Sequence, residues 1–203
     1  PDSRRRPYPP EYRETMPIRD QVRQTAKDFL LFPDPALKFI EGEGSKLDPP
    51  LGLQIFALPW LDAVASATLI KEEAHRHRHA VERAWAIIAG SRRFEPLSAE
   101  LFAENRFRTT ERTAERFKRL REKQNSDILV VWAHFGHLRH CSMDFASETY
   151  APNEFGATLF AVMCMTRMHP ARFRGWGYLS AACPGDECMA KGETTFSSGP
   201  VLI

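Results

Sequence analysis

The sequence is poor in the features that mark the common enzyme and scaffold classes. It has four cysteines in 203 residues: Cys141, Cys164, Cys183 and Cys188. That is too few for a secreted scaffold stapled by disulfides, so an intracellular, reducing compartment is expected. There is no Walker loop, GxGxxG, GxSxG or HExxH. The common nucleotide-binding and hydrolase classes therefore lose their usual support. There is almost no charge excess, with 28 Lys and Arg against 26 Asp and Glu. A net charge of +2 does not build a whole-chain polyanion binder.

Long apolar runs are also missing. Leu51 to Ile70 is interrupted by Gln54, Pro59 and Asp62. Ala157 to Met165 is far short of the roughly 20 residues that a spanning helix needs. No transmembrane segment, secretory signal, internal repeat or low-complexity tract is visible. The sequence opens on Pro1, which is compatible with a removed initiator Met or with a removed organellar, mitochondrial presequence.

What is present suits one domain with a flexible appendage. The apolar share of 43% supplies a core. Residues 1–16 read as an extended arm, with Arg4, Arg5 and Arg6 followed by Pro7, Pro9 and Pro10. Proline blocks helix and favours polyproline-like backbone, so the arm is expected to be either disordered or laid across a partner surface. From Pro17 onward, Ile18, Val22, Ala26, Phe29 and Leu30 recur at helical spacing, with Pro33 and Pro35 ending the helix. Residues 41–52 carry loop punctuation.

The stretch from Trp60 to Ala89 contains no Gly or Pro and predicts one long helix over about 60–89. Ala63, Ala67, Ile70, Ala74, His77, Val81, Ala84 and Ile88 form its alanine-rich seam. Such a helix would span on the order of 45 Å. A helical stretch near Ser98 and another over 110–123 follow, the latter with Ala114, Phe117 and Leu120 on its apolar side. Asp127 to Phe135 is the one strand candidate, β-branched and continuous. A helix capped by Asn153 and reaching Met168 is apolar nearly all round, which places it at the centre of a core. The expected fold is therefore mainly α. It comprises an arm (1–16), a helical domain (17–169) with at most a small β element near 127–135, and an irregular tail (170–203).

Four clusters carry candidate chemistry. The first is EEAHRHRH, where His75 and His79 share a helix face with Glu72 and Glu82, as a helical metal site requires. Arg76 and Arg78 flank it and would repel a cation, so a solvated charged face is the simpler expectation. His77 lies on the seam and reads as a core histidine bonded to a neighbour.

The second is HFGHLRHC. If helical, it brings His134, His137 and Cys141 to one face, with His140 and Asp144 nearby. Imidazoles with a thiolate are zinc ligands, so His134, His137 and Cys141 are the candidate metal residues and zinc the candidate ion. Cys141 with a histidine base is a further, weaker option, since no third partner or oxyanion hole is evident.

The third is CPGDEC, a tight turn that either carries two incidental thiols or joins Cys183 and Cys188 as a disulfide or half a zinc site. The fourth is basic: the arm, and Arg106, Arg108, Arg112, Arg116, Lys118, Arg119, Arg121 and Lys123 over 106–123, could track RNA phosphates. Glu104, Glu111, Glu115 and Glu122 interleave with them, which favours a salt-bridged solvated face.

The function expected from this pattern is a non-catalytic accessory or structural subunit of a large assembly, such as a respiratory, ATP-synthase or ribosomal complex. Its partners would be other protein subunits. The alternatives are a small metal-binding protein or metalloenzyme, and an RNA-surface binder.

Overall fold

The computed structural model describes residues 16–50, 53–66, 73–89, 107–133, 148, 150–169, 181–189, 194–196 and 201–202. Among these the fold is mixed and mostly helical, arranged around a two-stranded antiparallel sheet. The arm and the Ser98 helix lie outside the described residues.

Helix α1 (Ile18–Phe29) buries Val22, Ala26 and Phe29 of the expected seam together with Gln21 and Thr25, while Leu30, expected on that seam, is exposed because it lies past the helix end. It ends at Leu30, in the left-handed region at φ 58°. The Leu31 amide donates to Ala26 O at 3.0 Å, the closing bond of a Schellman end. Helix α2 (Asp34–Glu43) was not expected. Pro35 falls in its first turn, where a missing amide costs nothing, so the two prolines that stop α1 also start α2. A single 3₁₀ turn (Gly44–Leu47) continues it, so the loop expected over 41–52 is helical as far as Leu47.

Strand β1 (Gln54–Pro59) pairs with β3 (Ile128–Ala133), with Phe56 opposite Val131 and Ala57 opposite Val130. The strand candidate at 127–135 is thus a strand, and its unforeseen partner is β1. Both faces of the pair are covered. Val22, Ala26, Ala36 and Ile40 from α1 and α2 pack with Ala57, Ile128 and Val130. Phe56 and Leu58 pack on the other side with Val81, Ala84, Leu159 and Met163 among others. Two covered faces explain the unbroken apolar run of β3.

The single helix over 60–89 is corrected to two elements, α3 (Leu61–Ser66) and α4 (Glu73–Ala89). Arg76 Nε lies 4.0 Å from Asp62 Oδ1. On one straight helix those residues would stand roughly 21 Å apart, so the chain reverses between them. Of the expected seam, Val81, Ala84 and Ile88 are buried and Ala63 and His77 half-buried, while Ala65 and Ala80, not expected on it, are buried too; Ala67, Ile70 and the side chain of Ala74 lie outside the described residues. Small side chains let the two helices pack side by side.

Helix α5 (Glu111–Gln124) is capped by Thr110, whose hydroxyl accepts from Thr113 N, and carries a Glu115–Arg119 pair at 3.2 Å. Its buried stripe is displaced by one position from the expected one. Thr113 and Gln124 are buried, Phe117 and Leu120 are half-buried, and Ala114 is exposed. Helix α6 (Leu159–Met168) is the core helix, with every residue but Arg167 buried. Its cap is Thr158, which accepts from Ala161 N at 3.0 Å, and not Asn153. The preceding stretch stays extended because its carbonyls are committed elsewhere: Gly156 O to the Thr113 hydroxyl and Ala157 O to Gly185 N.

The tail is not wholly irregular. Strand β5 (Asp186–Cys188) pairs antiparallel with β2 (Phe107–Thr109), and β4 (Ala181–Ala182) pairs with β6 (Val201–Leu202). Cys183 sits in the main core at zero exposure.

Candidate functional site

The zinc candidates His134, His137 and Cys141, with His140 and Asp144, lie outside the described residues. Among the described residues, no group of three or more His, Cys, Asp or Glu is placed to hold a metal ion. On α4, His75 is exposed and Glu82 is engaged by Arg78 at 2.7 Å. That pair is the solvated, salt-bridged face expected there. Glu72 lies outside the description.

His77 departs from expectation. Its ring meets Phe107 edge-on at 4.6 Å, and its Nε2 has no hydrogen-bond partner among the described residues. Desolvation by burial lowers it to about 4, so it is a neutral ring at physiological pH.

The basic face of α5 is largely spent within the chain. Arg112 donates to Ala151 O and Glu154 O and stands over the Tyr150 ring, and Arg116 donates to Pro152 O. Arg121 pairs with Asp127 at 3.0 Å, and Arg108 with Glu187 at 2.7 Å. These arginines clamp the 150–154 turn and the β2–β5 ladder. Interleaved charge accordingly serves structure, as the alternating signs suggested.

The most perturbed chemistry lies in CPGDEC, at a residue the sequence did not single out. Cys183 and Cys188 are not joined as a disulfide. Burial, with the nearby Asp186 charge second, pushes Cys188 up to about 11, so it is a poor nucleophile and a poor metal ligand. Cys164 is buried in α6 as a small hydrophobe. The expected turn at Pro184–Gly185 is present, and it places Asp186 inside the protein at 1% exposure.

Three chain segments meet at that carboxyl. Leu159 N, in the first turn of α6, donates to Oδ2 at 2.6 Å. The Thr109 hydroxyl of β2 donates to Oδ1 at 2.8 Å. The Asp186 amide itself donates to Cys183 O at 3.1 Å. The approach is close because two glycines stand back to back. A Cβ on Gly156 would lie 2.5 Å from Gly185 N, and a Cβ on Gly185 would lie 2.4 Å from Gly156 O. Gly185 N donates to Ala157 O at 2.9 Å, and Thr110 N donates to Gly185 O at 2.8 Å.

Among the described residues no cation pairs with Asp186. Desolvation by burial therefore raises it to about 7, against the lowering effect of the Leu159 amide and the Thr109 hydroxyl. Chemically the arrangement can hold or release one proton near neutrality. Sequence inspection fixes on the two thiols because cysteine spacing is a known signal; an aspartate between them has no signature of its own.

Among the described residues no helix is long and apolar enough to cross a membrane. Comparison of the chain with protein-family models, with curated proteins and with solved structures finds no match.

Proposed function

We propose that the chain is a non-catalytic accessory or structural subunit of a larger protein assembly, of the kind found in organellar respiratory, ATP-synthase or ribosomal complexes. The observation that carries this reading is the turn between α1 and α2. Phe32 is 85% exposed and Leu30 is 68% exposed. Leu30 also takes a left-handed backbone conformation that glycine or asparagine would occupy at less cost. Adjacent apolar side chains held in water gain nothing for an isolated chain, whereas a partner surface would bury them. The arginine- and proline-rich arm of residues 1–16 supports the same role, since such a segment cannot bury a core by itself.

The test is the native size of the endogenous protein, with a photo-cross-linker placed at position 32. The expected result is migration far above its 23.2 kDa mass, a discrete cross-linked subunit, and release on Phe32→Ser. Migration of the native protein at its own mass, indifferent to Phe32→Ser, would reject the proposal.

A further inference from the structure

We propose that Asp186 is a proton-controlled latch: its protonated form holds residues 181–188 on β2 and α6, and opening of that segment releases the proton. The geometry carries the idea. A carboxyl at 1% exposure joins the tail to β2 through Thr109 and to α6 through the Leu159 amide, and both donors are neutral. A buried carboxylate without a cation is costly, and the cost is relieved by protonation or by exposure to water. The protonated acid fits the same site. Oδ2 goes on accepting from Leu159 N, while the acid proton on Oδ1 is donated to Thr109 Oγ1, whose own hydroxyl proton turns away.

Among the described residues, the charged and titratable neighbours do not supply a counter-charge. On β5 they are Glu187 and Cys188, and on β2 the only one is Arg108, which is paired with Glu187 at 2.7 Å and stacked over Phe196. Cys183 lies in the turn before Asp186, and Glu154 accepts from Ala151 N in the stretch before α6. At the start of α5, Glu111 is exposed and Arg112 is turned to backbone carbonyls. The first turn of α6, Leu159 to Val162, has no ionisable side chain.

The sign follows from linkage. Asp186 ordinarily ionises near 3.8 and in the closed segment near 7. Its contribution to closure is complete below the lower value and is lost as pH rises through the upper one. Between them, each opening event frees one proton, so the opening constant rises tenfold per pH unit and then levels off.

Hydrogen exchange on the full chain, corrected for intrinsic rates, reads this directly at Thr110, Gly185 and the β2–β5 amides. Opening is expected to increase roughly tenfold per unit from about pH 4.5 to about 6.5 and to flatten above about 7. Asp186→Asn should abolish the slope. Thr109→Val removes a hydroxyl that bonds the carboxylate more strongly than the neutral acid, so it should move the flattening point to higher pH while the slope persists. That variant decides the matter if Asp186→Asn does not fold. A pH-independent opening constant in the wild type, a slope retained in Asp186→Asn, or an unmoved flattening point in Thr109→Val would each overturn the latch.

Discussion

Gln124 takes the place of a neighbouring strand beside Val130. Its Nε2 donates to Val130 O at 2.7 Å and its Oε1 accepts from Val130 N at 2.7 Å. The opposite edge is closed the same way. Gln21 Nε2 donates to Ile55 O at 3.1 Å, and Ala57 N donates to Gln21 Oε1 at 3.1 Å. Thr25 adds a hydroxyl to Ala57 O, Ser126 satisfies both backbone groups of Ile128, and Pro59 has no amide to offer. Exposed sheet edges invite pairing with other chains, and these side chains block the edges from within.

Gln124→Leu keeps the side-chain volume and strands the Val130 amide and carbonyl. Two lost hydrogen bonds to buried groups predict a loss of roughly 2–4 kcal/mol. Urea denaturation should show the midpoint fall with little change in slope. An unaltered midpoint would mean that the edge is satisfied by other means.

The two packed glycines predict a steep asymmetry among glycine substitutions. Gly185→Ala would force a Cβ against the Gly156 carbonyl and should cost roughly 2–3 kcal/mol. Gly42→Ala, in α2 with nothing within 4 Å, should instead stabilise by roughly 0.5–1 kcal/mol. Thermal melts of the two variants should move in opposite directions.

Neutral His77 predicts a pH dependence opposite to that of Asp186. Its folded value is depressed from 6.5 to about 4, so its contribution is present above 6.5 and is lost as pH falls through about 4. Asp186 contributes most below about 3.8 and loses its contribution through about 7. The two slopes oppose one another over most of this interval. His77→Phe, which keeps a ring against Phe107, should make stability fall more steeply with rising pH than in the wild type. Denaturation midpoints measured across that range check this, and parallel profiles for variant and wild type would remove His77 from the account.

Arg112 predicts a local signature. Burial raises Tyr150, and the Arg112 charge opposes that rise. Arg112→Ala should therefore push the Tyr150 phenol higher still and loosen the 150–154 turn. Arg112→Lys should restore part of the charge effect but not the hold on two carbonyls, because an ammonium lacks the guanidinium fork. Tyrosine titration by NMR separates the two effects.

Where periodicity alone sets the outcome, the sequence was legible. Most of the seam of α1, the apolar α6, the helix over 110–123 and the strand at 128–133 follow local pattern. Long-range packing hid the rest. No breaker lies between Trp60 and Ala89, so local preference favours one helix, yet the Asp62–Arg76 contact demands a reversal. QIFALP neither alternates nor avoids proline, so β1 becomes recognisable only beside β3. Gln21 and Gln124 read as ordinary helix surface until the strands they close are known. Asp186 was hidden because its importance comes from Thr109 and Leu159, both distant in sequence. Leu30 reads from its spacing as part of the α1 seam, and its left-handed backbone at the helix end instead turns it to solvent; Phe32 has no periodic signal at all.

The pairing of β1 with β3 bears on how the chain matures during synthesis. Pro59 and its partner Ile128 are about 70 positions apart, a separation that slows closure of the pair. At translation rates of roughly 5–20 residues per second, β1 waits several seconds for that partner to be made. Gln21 can shield one side of the waiting strand as soon as α1 docks, but the other side stays uncovered throughout. Conditions that lengthen the wait, such as slow codons between the two strands, should therefore favour nascent-chain aggregation more than any change made after residue 133.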